Sequence, residues 1–128
     1  MVSAGVVFTN DRYPRAFPLE GDGLAFSGPT EDTLSTTVRE GVTIGAGAVI
    51  GPGLEIGAYA MVGMGAVVVT DVPAHGLVYG NPARLRGYVC VCGQPFPRRS
   101  ESTAPAADAT TCDRCGRSVT WPAGSPGS

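Results

Sequence analysis

Four cysteines carry the clearest chemistry in this sequence. Cys90 and Cys92 form one close pair, Cys112 and Cys115 a second, and a loop separates the two. Two such pairs supply four thiolates, the donor set of a tetrahedral zinc site. Four protein ligands leave no open position, so a zinc held there is structural. A glycine follows each pair, Gly93 and Gly116, where backbone N–H groups turn toward sulfur. The first pair has one intervening residue, the second has two. Two disulfides are the alternative, disfavoured where thiols stay reduced. The remaining reactive types are sparse. His75 is the sole histidine, and one histidine excludes a three-histidine metal site within a single chain. Its setting, Val-Pro-Ala-His-Gly, reads as an exposed turn. Asn10 and Asp11 stand together in Phe-Thr-Asn-Asp, with Arg15 shortly after in Pro-Arg. All nine basic residues are arginine, and the formal net charge is −2. Arg98, Arg99, Arg114 and Arg117 lie near the cysteines, but the acidic balance argues against nucleic acid as a partner.

These groups need a framework, and a six-residue repeat supplies it. From Val42 the chain reads VTIGAG, AVIGPG, LEIGAY, AMVGMG, AVVVTD. Ile44, Ile50, Ile56, Val62 and Val68 recur at six every time. Gly45, Gly51, Gly57 and Gly63 follow the first four anchors, and Val69 follows the fifth. Ala48, Ala60 and Ala66 recur two positions before an anchor. A helix needs spacings of three and four and is weakened by this much glycine. The period predicts short strands that each end in a turn, with the aliphatic anchor pointing inward and stacking on its equivalents. The adjacent glycine is expected to let the backbone bend. This is the pattern of a parallel β-helix. Val2 and Phe8 are also six apart and belong to an earlier coil. The expected domains are a partial β-helix over 1–88 with a loop inserted at about 11–40, a zinc ribbon over 89–120, and a flexible tail over 121–128. The 19 glycines and 11 prolines thus serve an ordered, turn-rich fold. No apolar run approaches the roughly 18 residues of a membrane span. The N-terminus lacks a charged segment of the kind that opens a signal peptide. Both point to the cytoplasm, with no membrane partner.

The hexads, followed by Asp71-Val-Pro and Gly80-Asn-Pro-Ala-Arg84, resemble the left-handed β-helix acyltransferases. The upstream Val7-Phe-Thr-Asn-Asp-Arg-Tyr-Pro-Arg15 resembles the branch that N-acetylates amino groups of nucleotide-linked sugars. The fold class expected is therefore all-β: a left-handed parallel β-helix with a long inserted loop and a small C-terminal zinc ribbon. The resemblance further implies an acetyl-CoA co-substrate, a nucleotide-linked amino sugar as acceptor, and a homotrimer. Relatives normally carry several coils before this motif, whereas nine residues precede Asn10, so the chain resembles the C-terminal portion of a longer enzyme. Two alternatives stay open: a truncated, non-catalytic β-helix with its ribbon, or an O-acetyltransferase of the same fold.

The implied reaction is attack of a neutral amine on a thioester carbonyl. An amine beside electron-withdrawing oxygens titrates near the α-amino value of about 7.7–8.0, so part of it is neutral at pH 7. A strong general base is then less necessary than for a hydroxyl acceptor. Carried over from the family, Asn10 donates a hydrogen bond near the thioester or orients the amine; its other reading is a turn cap. Asp11 accepts from the amine or sugar, or simply forms a turn. Arg15 pairs with a phosphate or a sugar carboxylate, or anchors the loop. Arg39 and Glu40, at the loop's return, are weaker substrate-binding candidates that equally close the loop against its coil. Gly63, Gly65 and Ala66 suit close approach of a pantetheine chain. Asn81 and Arg84 suit the exit turn and a coenzyme phosphate, with Arg86 a second choice, and the same segment serves to cap the solenoid.

Overall fold

A computed structural model of the protein describes residues 1–18, 20–24, 28–96 and 109–120. The expected tail over 121–128 and most of the loop between the cysteine pairs lie outside the described residues. Seven two-residue strands build the solenoid: β1 (Val7–Phe8), β2 (Thr37–Val38), β3 (Thr43–Ile44), β4 (Val49–Ile50), β5 (Glu55–Ile56), β6 (Met61–Val62) and β7 (Val67–Val68). They pair in parallel at a spacing of 18 residues, as in Thr43 with Met61 and Val49 with Val67. Three hexads therefore make one three-sided coil. The anchors stack in columns: Val2, Ile44, Val62 and Val78 on the first face; Phe8, Ile50 and Val68 on the second; Val38, Ile56 and Val72 on the third.

Three coils result, although the uninterrupted repeat alone accounts for fewer than two. The first is split by the insertion: Val7 pairs with Val49, 42 residues away rather than 18. The third closes early, because Val72, not a residue six after Val68, bridges Ile56. Ile44, Ile50, Ile56, Val62 and Val68 are essentially fully buried, and so are Ala48, Ala60 and Ala66. Together they form one continuous core with Val42, Val72, Val78 and Ala83. Burial of the aliphatic anchors is the main stabilising term, at about 1.5–3 kcal/mol per fully buried side chain.

The glycines after the anchors have a different cause from the expected bend. A Cβ on Gly57 would lie 2.4 Å from the Ala74 backbone nitrogen, and one on Gly45 2.5 Å from that of Met64. Close approach of the next coil excludes a side chain there. The bends themselves fall two residues later, at Gly47, Gly53, Tyr59 and Gly65, all with positive φ. Val69 is tolerated because β7 is the last strand of its face among the described residues.

The antiparallel hairpin of β8 (Gly76–Gly80) and β9 (Ala83–Tyr88) closes the solenoid. Strand β8 continues the first face beside β6. Ala83 is buried in the solenoid core and Leu85 packs on it. Leu85 also packs on a second cluster of Tyr88, Cys90, Phe96, Cys112 and Val119. That cluster belongs to a module completed by the hairpin of β10 (Ala109–Thr111) and β11 (Ser118–Thr120). No helix occurs among the described residues, and none is long and apolar enough to cross a membrane.

Candidate active site and metal centre

Asn10 ends the second face of the first coil, where the insertion departs. The carbonyl of Asn10 accepts the Leu34 N–H at 2.6 Å. Asp11 bridges Thr33 antiparallel, and its carboxylate accepts the Thr33 hydroxyl at 3.2 Å. The Arg12 N–H donates to the Asp32 carbonyl at 3.0 Å. These bonds clamp the two limbs of the insertion. Thr36 then fastens the returning limb to the next coil: its hydroxyl donates to the Gly51 carbonyl and accepts the Leu54 N–H. Phe8, Thr9, Asn10, Thr33, Leu34 and Thr36 line an open groove of about 470 Å³ at this corner. Asn10 and Asp11 are exposed beside it. The partners Thr33, Leu34 and Thr36 carry no spacing signal, because the insertion obeys no period.

Arg15 lies exposed further along the outgoing limb. Arg39 donates through Nε to Glu55 at 3.0 Å, tying the first coil to the second, with both side chains about half exposed. Asp71 accepts the Glu55 N–H through its carboxylate. Arg39, Glu55, Gly57, Asp71 and Pro73 line a second groove of about 460 Å³ on the third face. Glu40 is exposed, and its carbonyl accepts the Tyr59 N–H.

The residues suited to a coenzyme separate into two settings. Gly65 turns an outer corner with φ 69° and open space where a side chain would stand. Gly63 lies under Tyr79, on the sheet that carries the β8–β9 turn and Asn81. Arg84 is exposed and borders a cleft of about 140 Å³ with Thr70, Asp71 and Val78. Ala66 differs from expectation. Its methyl is wholly buried in the core, its N–H bonds Gly63 and its carbonyl bonds Val49. It fills the core rather than facing a ligand, because the position two before an anchor points inward. Gly63 and Gly65 thus follow the first face, whereas Asn10 follows the second, as do Thr70 and Asp71 beside Arg84.

His75 departs from the exposed-turn reading. It is half-buried, with φ 61°; its ring stacks on Tyr59 at 5.4 Å, and Nδ1 lies 3.0 Å from the Val89 carbonyl. It fastens the solenoid to the start of the cysteine module. Tyr59 and His75 sit 16 residues apart, the same offset that the shortened third coil imposes on Ile56 and Val72. That offset appears only once the coil closes early.

The four cysteines converge. All four Sγ atoms lie within 4.8 Å of one another. Cys90 is 3.5 Å from Cys115, and Cys92 is 3.7 Å from Cys112. A zinc–sulfur bond of about 2.3 Å sets a tetrahedron edge of about 3.8 Å, so the donor set fits zinc. Gly93 and Gly116 both adopt positive φ, the conformation each knuckle turn requires. Burial pushes the Cys90 thiol up to about 11, partly offset by the Cys92 N–H. The Cys115 N–H, aided by that of Arg114 against opposing burial, holds Cys112 near 7. Arg114 reaches the Cys92 carbonyl at 3.5 Å, across the two knuckles.

A three-sided parallel β-helix, closed by a hairpin and joined to a four-cysteine module, defines the class of this molecule. Residues 35–70 match the family described as bacterial transferase hexapeptide (six repeats). That match takes in strands β2 to β7 of the solenoid. It is 53% identical over 57 residues to dTDP-3-amino-3,6-dideoxy-alpha-D-galactopyranose 3-N-acetyltransferase of Aneurinibacillus thermoaerophilus, covering 44% of this chain and 30% of that one. It is 42% identical over 69 residues to serine acetyltransferase of Salmonella typhimurium, covering 54% of this chain and 25% of the relative. Among solved structures, maltose O-acetyltransferase from Clostridium difficile 630 superposes with a TM-score of 0.54 at 29% identity, over 66% of this chain and 42% of that one. The chain spans less than a third of the length of the two sequence relatives.

Proposed function

We propose that the protein acts as an acetyl-CoA-dependent N-acetyltransferase on the amino group of a nucleotide-linked amino sugar. The observation that carries this reading is the 53% identity to an amino-sugar nucleotide 3-N-acetyltransferase. In the reaction the acceptor nitrogen attacks the thioester carbonyl, the C–S bond breaks, and the coenzyme leaves as its thiolate while the nitrogen loses a proton. Asn10 donates to the developing oxyanion or orients the amine, and Asp11 accepts from the sugar or the amine. Arg15 pairs with a phosphate of the acceptor. Arg39 and Glu40 border the acceptor less directly, and Arg39 remains committed to Glu55. Gly63, Gly65, Asn81 and Arg84 receive the coenzyme. Gly63 and Gly65 lie at a different corner from Asn10, an arrangement that suits a site completed between copies, with a homotrimer as the active form. One zinc held by Cys90, Cys92, Cys112 and Cys115 stabilises the C-terminal module and takes no part in the transfer. The protein works in the cytoplasm and needs neither nucleic acid nor membrane.

Similarity to serine acetyltransferase supports a second reading, transfer to a hydroxyl. A hydroxyl acceptor needs a general base, and the sole histidine stands at another corner from Asn10, stacked on Tyr59. Incubation with acetyl-CoA and a dTDP-linked 3-amino sugar, its 3-hydroxy counterpart, or serine discriminates the two, with products read by mass spectrometry. N-acetylated nucleotide sugar is expected. Acetylation of the hydroxyl acceptors alone would overturn the proposal.

A further inference from the structure

The outgoing limb of the insertion displays two aromatic rings that the fold does not use. Tyr13 and Phe17 are 69% and 68% exposed. The limb that carries them is not loosely tethered. Asp11 and Arg12 are clamped to Thr33 and Asp32, so Tyr13 emerges one residue beyond the last fixed bond. Two arginines alternate with the rings: Arg12, whose guanidinium lies 6.0 Å from the Tyr13 ring centre, and Arg15. The limb begins at the groove beside Asn10.

We propose that Tyr13 and Phe17 form a stacking platform for the nucleobase of the acceptor, with Arg12 and Arg15 pairing its diphosphate. The inference rests on the proposed nucleotide-sugar acceptor and assigns the part of that acceptor the transfer chemistry never touches. In a nucleotide sugar, a diphosphate and a ribose separate the reacting sugar from the base. Tyr13 and Phe17 follow Asn10 by three and seven residues, at most about 11 and 25 Å of extended chain. Both arginines and both rings therefore lie within reach of a nucleotide whose sugar sits at Asn10. Aromatic rings offer a base large, rigid contact at small entropic cost. Guanidinium groups pair phosphate oxygens in bidentate fashion and also stack on rings. Because every base presents a π-face, such a platform selects a nucleoside diphosphate with little preference among bases.

Calorimetric titration of the full chain with dTDP, UDP and inorganic pyrophosphate tests the platform. The two nucleotides are expected to bind within about threefold of each other. Tyr13→Ala and Phe17→Ala should each weaken dTDP about tenfold while leaving pyrophosphate unchanged, and Tyr13→Phe should restore binding. Both rings are exposed, so these variants leave the core intact. Three results would overturn the platform: no binding of dTDP, equal losses for dTDP and pyrophosphate, or alanine variants that bind like the parent. A changed oligomeric state at unchanged dTDP affinity would also count against it and assign the rings to contact between copies. Failure of the function itself reads differently. Acetylation of serine or a free sugar alone would remove the N-acetyltransferase proposal whatever the titration gives.

Discussion

At the scale of single residues, backbone and side chain divide the work at Asn10. Its carbonyl already holds the loop through Leu34, and that bond survives any substitution of the side chain. Asn10→Ala should therefore fold normally yet lower kcat for acetyl transfer by about a hundredfold, if the amide stabilises developing charge. A thermal midpoint that falls along with the rate would show a turn cap instead. The cysteines offer a second prediction. Cys112 loses its proton near pH 7, whereas Cys90 keeps its own up to about 11. Zinc must displace that proton, so metal affinity should rise with pH across this range. A competitive chelator titration at three pH values measures it, and a flat affinity would contradict the assignment. Spacing picked out the four thiols, whereas Asn10 and Ala66 were singled out through the family resemblance. Core packing claims Ala66, and a ring stack with a backbone contact replaces the exposed turn expected for His75.

At the scale of elements, the repeat sets strands and turns, but the two kinds of glycine answer to different forces. Gly57 is needed because the next coil passes too close for a Cβ, and no flexible side chain is there to yield. Gly57→Ala should cost about 3 kcal/mol in chemical denaturation, the upper end of overpacking penalties. Gly65 has open space but a left-handed φ of 69°, so Gly65→Ala should cost only about 1–2 kcal/mol. Equal losses at the two positions would defeat this distinction. The period made both glycines visible. It gave no way to tell which was steric and which conformational, because only the stacked coils reveal what a side chain would meet.

At the scale of the molecule, the solenoid and the cysteine module share structure. Leu85 packs on both cores, His75 bonds the carbonyl of Val89, and a Cβ on Gly93 would lie 3.3 Å from the Met61 side chain. Stripping zinc should therefore lower the thermal midpoint of the whole chain in one transition. An unshifted solenoid transition after chelation would show the two parts to be independent. On the first coil, Val2, Val7, Phe8 and Val38 are each more than a third exposed. Their strands pair on one side only among the described residues. Light scattering should find three copies, as the proposed function requires; a monomer would contradict that part of it.

The sequence by itself determined the six-residue rung, the inward aliphatics, the four-thiol set and the resemblance to nucleotide-sugar N-acetyltransferases. Each of these is written in local spacing or in a contiguous motif. The tertiary structure decided how many coils there are, because one coil is interrupted by the insertion and another closes at Val72. It also decided that Thr33, Leu34 and Thr36 frame Asn10, and that His75 ties the solenoid to the cysteine module. Those contacts join residues up to 24 positions apart with no period between them. They exist only when stacked coils bring the chain back upon itself.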